Sequence, residues 1–111
     1  MPVFVSLGRY SESAIKGMLA KPEDRSAAVA KLVEVAGGKL LAFYMLFGEH
    51  DWMAIHEAPS GKEAAAAMLA AAGAGAIANT RTMLAMTGAE AKAAFEAGQA
   101  VGAAYRTPGA T

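Results

Sequence analysis

The chain contains no cysteine. Disulfides, thiolate metal sites and cysteine nucleophiles are therefore excluded. It also lacks net charge, since ten Lys and Arg offset ten Asp and Glu. Nucleic-acid binding demands a basic patch, and adsorption to an anionic bilayer demands a basic segment. Neither nucleic acid nor membrane is an expected partner. A chain without net charge also has no long-range repulsion between its copies, so self-association is unopposed. No apolar run reaches the ~18 residues that a spanning helix needs. The opening Met1–Tyr10 has no basic segment ahead of its apolar run, so a signal peptide is not expected and a cytoplasmic location is. Phosphate-cradling loops are missing too: Gly73-Ala74-Gly75 precedes a strand pattern, not a helix. Neither a nucleophile elbow nor a usefully spaced Ser, His and Asp set is found.

What is present is apolar. Hydrophobic residues make up 55% of the 111 residues, much of that alanine. Leu, Ile, Val, Phe and Met must therefore do most of the burying. The length fits one domain, expected over residues 1–104, with a flexible tail over 105–111.

Val3 to Leu7 reads as a strand bounded by Gly8. Ser11 can cap a helix whose apolar residues Ile15, Met18 and Leu19 lie at i, i+3, i+4. Pro22 interrupts it and suits the start of a second helical piece. That piece carries Val29, Leu32, Val33 and Ala36 as a core-facing stripe, ended by Gly37-Gly38. Two apolar runs, Lys39 to Phe47 and Trp52 to Ala58, flank Gly48-Glu49-His50-Asp51 and predict a β-hairpin. Ser60 caps an alanine-rich helix from Lys62 to Ala72. Ile77 to Met86 is a fourth strand. Thr87 and Glu90 form a capping box for a last helix reaching about Val101.

The order β-α-β-β-α-β plus a helix is the split βαβ pattern. It predicts an α+β, ferredoxin-like fold with an additional C-terminal helix and an antiparallel sheet. The sheet face away from the helices should then be polar if it meets water. Yet the second strand is apolar at every position from Leu40 to Phe47, and the first is mostly so. Adjacent residues point to opposite faces, so both faces need cover. A second copy is the simplest cover, and a homodimer or higher oligomer is expected. The competing arrangement is a monomer whose last helix folds back, although Phe95 is that helix's only large apolar residue before its glycines. If Gly48 sits opposite Asp51, Phe43 faces His56 and Met45 faces Ala54, whereas Tyr44 meets Ile55 on the other face.

Several motifs carry a family likeness. They are Gly8-Arg9-Tyr10 after the first strand, Gly37-Gly38-Lys39-Leu40 before the second, Tyr44, the Gly48-x-His50-Asp51 turn, Glu57-Ala58-Pro59, and Arg81-Thr82 in the fourth strand. In these the sequence resembles the GYD-domain proteins, with His50 where the name-giving tyrosine stands. The resemblance covers most of the chain and implies a dimeric α/β barrel. It implies no single reaction. That superfamily includes cofactor-free monooxygenases, isomerases, haem enzymes and the effector-binding domains of Lrp/AsnC-type regulators.

Each candidate site residue has a bland and a sharp reading. Asp51 either caps its own turn or contacts a ligand. His56 is either a neutral, hydrogen-bonded core histidine, or a general base or haem ligand in a pocket. Trp52, Phe43, Tyr44 and Met45 supply apolar walls for a pocket or for an ordinary core. Arg81 holds an anionic ligand group or pairs with Glu57 or with a carboxylate of a second copy. Tyr10 and Tyr44 are candidate positioning donors. His50, Asp51, His56 and Glu57 are suitable metal ligands in type but not in spacing, since His56 and Glu57 point to opposite faces, so no metal is expected. Nor is a cofactor.

The sequence thus points to a homodimer that binds a small organic ligand. If catalytic, it would use His56 as base and Arg81 as anion stabiliser in cofactor-free oxygenation or isomerisation. The alternative is a non-catalytic effector-binding or assembly module resembling the Lrp/AsnC effector domains.

Overall fold

A computed structural model describes residues 1–110. The chain runs β1 (Val3–Tyr10), α1 (Glu12–Ala20), α2 (Ser26–Val35), β2 (Lys39–Met45), β3 (Trp52–Glu57), α3 (Gly61–Gly73), β4 (Ile77–Ala85) and α4 (Gly88–Ala104). The four strands form one antiparallel sheet in the order β2-β3-β1-β4. This is the ferredoxin-like arrangement, with α4 as the added helix.

Strand alternation sets the two faces. On β1 and β3 the buried positions are Phe4, Ser6, Gly8, Trp52, Ala54 and His56. They lie under α2 and α3. The small residues Ala64 and Ala67 are fully buried on α3 and let that helix approach the sheet closely. Trp52, Ala54, Ala67 and Met68 form the larger core cluster, with Val29, Leu32, Ala36, Leu40, Phe43 and Ile77 packed around it. Phe4, Ala58 and Ala64 form a second. The opposite face presents Val3, Val5 and Leu7 from β1, Met53 and Ile55 from β3, Tyr44 from β2 and Met83 from β4. Among the described residues, no helix is packed there. α4 buries none of its residues, and its Phe95 is 79% exposed, so it is not the cover of that face.

The expected helix caps are present. Ser11 accepts from the Ala14 N–H, and Thr87 and Glu90 close a capping box. α2 ends in a Schellman motif: Gly38 N–H donates to Val33 C=O and Gly37 N–H to Glu34 C=O, both at 2.9 Å, with Gly37 at φ +93°. Gly38 is confined further, because a Cβ there would overlap the carbonyl of Glu57.

Three local expectations are corrected. α2 starts at Ser26, leaving Pro22 in the connection rather than at the helix start. The α1 stripe does not enter the core, since α1 has no buried residue and Leu19 is exposed. The β2–β3 register is shifted by two: Met45 pairs with Trp52, Tyr44 with Met53 and Phe43 with Ala54. An even shift preserves the faces of these residues. A bulge at Leu41 then sets Leu40, not Phe43, beside His56. β2 stops at Met45, and Phe47 stands fully exposed in the connecting loop.

Candidate functional site

The loop between β2 and β3 stays wide because Asp51 is fastened to β1. Its backbone N–H donates to Gly8 C=O at 2.8 Å, and its carboxylate Oδ2 accepts the Tyr10 N–H at 2.9 Å. Arg9 reaches the same loop, donating from Nη1 to Glu49 C=O at 3.0 Å, with its Nε 3.9 Å from the Asp51 carboxylate. Asp51 therefore caps a neighbouring strand rather than its own turn. This clasp fixes the end of β1, and Tyr10 leaves it toward the helix layer.

There, beneath α2 and α3, the core is incomplete. A cavity of about 80 Å³ is walled by Val29, Leu32, Phe43, Trp52, Met68 and Ile77, with Tyr10, Arg25 and, from α3, Ala71 also lining it. Tyr10, Arg25 and Ala76 also line a wider groove of about 470 Å³ beneath α1, where Lys21 and Glu23 stand. The two spaces thus form a small apolar recess with a polar approach. The indole N–H of Trp52 is buried and has no hydrogen-bond partner among the described residues. A buried donor left unpaired is costly, and native folds seldom retain one without reason. Tyr10 donates from its hydroxyl only to the Met45 sulfur, at 3.4 Å, a weak acceptor. Desolvation pushes the Tyr10 phenol above its ordinary pKa, against a smaller opposing pull from Arg25, so it is a neutral donor at physiological pH. Arg25 pairs with Glu23 at 2.7 Å.

Tyr10 and Trp52 are thus brought to one cavity, with Phe43 beside them. Tyr44 is on the opposite face, 57% exposed. His56 is 1% exposed and lines neither the recess nor its approach groove. Its Nε2 lies 3.0 Å from the Ser6 hydroxyl, itself 2.9 Å from Thr82 Oγ1, and its ring stacks on Phe4 with centroids 6.0 Å apart. Burial pushes the imidazole below its ordinary pKa, with a smaller opposing contribution from the Glu57 backbone. Arg81 pairs in register with Leu7 on the open face, whereas His56 pairs with Phe4 on the covered one. The sheet separates the two, so within one subunit they do not meet on one substrate. Arg81 also lies far from Glu57, which pairs with Val3 and Lys39 at the other end of the sheet. It shares a polar surface groove with Arg9, His50 and Asn79. Among the described residues, no group of three or more His, Asp or Glu side chains converges as a metal site. Likewise no helix there is long and apolar enough to cross a membrane.

Arg25 went unnoticed in the sequence, where it is one charge among Lys21, Glu23 and Asp24. The only signal was its position just ahead of the α2 stripe that the cavity borrows.

The Gly48–Asp51 turn and its clasp onto Gly8-Arg9-Tyr10 lie within the span, residues 4–95, that matches the family model of the GYD domain. The chain belongs to the GYD-domain family. The match runs from Phe4 in β1 through β4 and ends inside α4 at Phe95, so the distal half of that helix lies beyond it. No curated protein and no solved structure matches the chain. Within this GYD domain the aspartate of the signature is bound to backbone, and His50 stands one residue ahead of it, with a buried and unpartnered Nδ1.

Proposed function

We propose that this GYD domain works as a homodimeric small-molecule-binding protein, with its ligand held between sheet and helices in each subunit. The observation that carries the reading is the recess lined by Trp52, Tyr10 and Phe43. Its walls are apolar, and the Tyr10 hydroxyl and Arg25 guanidinium stand where it meets the wider groove. The dimer rests on the uncovered face. Val3, Val5, Leu7, Tyr44, Met53, Ile55 and Met83 share that face across all four strands, with Glu57 beside Val3 and Arg81 beside Leu7. Extended apolar patches of this kind mark protein interfaces. A two-fold pairing of two such faces buries them without any additional element.

Binding without catalysis fits better than proton abstraction. His56 is packed away from the recess, and Arg81 lies across the sheet from it. The second reading, a cofactor-free oxygenase or isomerase, needs a different base in the recess, where the titratable side chains are Tyr10 and Arg25. A cytoplasmic location accompanies the proposal, in keeping with a chain that carries no cysteine.

The chain's single tryptophan gives the test, because Trp52 is a wall of the recess. A panel of small organic compounds is screened for saturable change in its fluorescence, with sedimentation equilibrium reporting the assembly. The expected result is a dimer with at least one saturating compound, whose effect disappears in Ala71→Met, a variant that fills the recess. A monomer, or a panel that never saturates, overturns the proposal.

A further inference from the structure

The polar groups around the recess are all of one kind. Among its described lining residues the polar side chains are Tyr10, Arg25 and Trp52. The Trp52 indole N–H is buried in the wall, so Trp52 meets a ligand with its apolar ring; Arg25 offers a fork of N–H donors and a permanent positive charge. Tyr10 is held neutral and has only a thioether to donate to. Among the described residues, no side-chain carboxylate, amide or aliphatic hydroxyl lines the recess. A ligand that completes these groups must bring acceptors, and beside a guanidinium an anionic acceptor is preferred. The remaining walls are Val29, Leu32, Phe43, Met68, Ile77 and four alanines, against which a polar body would be desolvated without compensation. The recess is small, about 80 Å³, so the apolar part is a short branched chain or one ring that extends into the mouth.

On these grounds, and resting on the binding function proposed above, we infer that the ligand class is a small amphipathic monocarboxylate. Its apolar part sits in the recess against Trp52 and Phe43. Its carboxylate lies at the mouth, where it takes donors from Arg25 and the Tyr10 hydroxyl. Glu23, now paired with Arg25 at 2.7 Å, is the internal competitor for that guanidinium. Removing Glu23 therefore strengthens binding, whereas removing the charge of Arg25 weakens it.

The indole N–H of Trp52 is the only one in the chain, so one resolved NMR signal reports on the recess. The full-length dimer is titrated with 3-methylbutanoate and phenylacetate, and in parallel with 3-methylbutanol and 3-methylbutylamine. Expected is a saturable shift of the indole signal with the acids, at least tenfold weaker binding of the alcohol, and no saturation by the amine. Arg25→Gln should weaken the acids at least tenfold and leave the alcohol unchanged, and Glu23→Gln should tighten the acids. A dispersed spectrum in each variant shows that it is folded. Equal binding of alcohol and acid, or indifference to Arg25→Gln, overturns the carboxylate assignment while leaving the recess as a binding site. An indole signal that no probe moves overturns both.

Discussion

The carboxylate of Asp51 accepts the backbone N–H of Tyr10 at 2.9 Å, joining the β2–β3 loop to the end of β1. The strand ladder supplies no acceptor there, so the signature aspartate does the work of a missing strand neighbour. The same contact sets where Tyr10 departs toward the recess, and so couples the family motif to the candidate site.

Loss of that acceptor leaves a half-buried N–H unpaired. Asp51→Ala is expected to lower stability by about 1–3 kcal/mol, the cost of orphaning a donor to a charged acceptor. Asp51→Asn keeps a neutral acceptor and should lose less. Arg9→Ala, which removes an exposed pair, should cost under about 1 kcal/mol. Urea unfolding of the three variants gives the ranking. Equal stability of Asp51→Ala and wild type would mean that the clasp holds nothing in solution.

Gly8 sits where the recess wall meets the sheet. A Cβ at this position would lie 2.9 Å from Trp52 Cζ2, 3.1 Å from Ala78 O and 3.2 Å from Thr80 Cα. Two of these three neighbours are backbone and cannot rotate away. Gly8→Ala should therefore destabilise by about 1–3 kcal/mol, as overpacking does, and shift the emission of Trp52. Gly38→Ala should be worse, because its Cβ would meet the Glu57 carbonyl, with Glu57 held in the β3 ladder. Thermal unfolding of the two variants beside Gly17→Ala, at an open helical position where alanine is favoured, provides the internal control.

The buried imidazole gives a pH dependence of known sign. The pKa of His56 is lowered in the folded state, so the unfolded chain binds more protons once pH falls below its own value of about 6.5. The stability contributed by neutral His56 is complete above that pH. It is lost as pH falls from there toward the lowered folded value. His56→Gln carries no such proton and should show a flatter profile between pH 7.5 and 5, after its own constant loss from disturbing the Ser6 contact. Parallel profiles for the two proteins would show that His56 titrates alike in both states.

Much of the fold was legible because it is written locally. The β-α-β-β-α-β order follows from apolar periodicity and from glycines that stop elements, and the Thr87–Glu90 box announces α4 within four residues. The α2 stripe ending in the fully buried Val33 was readable for the same reason. What was not legible depends on distant partners. The two-residue shift of the hairpin comes from Asp51 bonding to Gly8 and Tyr10, some 40 positions away, which no turn rule contains. Leu19 and Ile15 have the spacing of a core stripe, yet α1 lies off the sheet and leaves them exposed. At the site, Trp52 and Tyr10 were legible as wall and donor. The separation of His56 from Arg81 follows from strand pairings that only the folded sheet fixes.

The open face makes its own prediction. Ile55 and Val5 pair with one another at its centre. In the proposed dimer Ile55→Glu would place a charge between the two paired sheets, which an interface core excludes. Sedimentation velocity should show a monomer for Ile55→Glu. Thr107→Glu, in the irregular segment after α4, should sediment as wild type. Persistence of the dimer in Ile55→Glu would move the interface to another surface.

Native mass spectrometry of the purified protein, at low collision energy, tests the central claim most directly. The account predicts a species of twice the 11.3 kDa chain mass that takes up one small organic molecule per subunit and loses that capacity in Ala71→Met. A monomer that retains no ligand from any compound offered would contradict it.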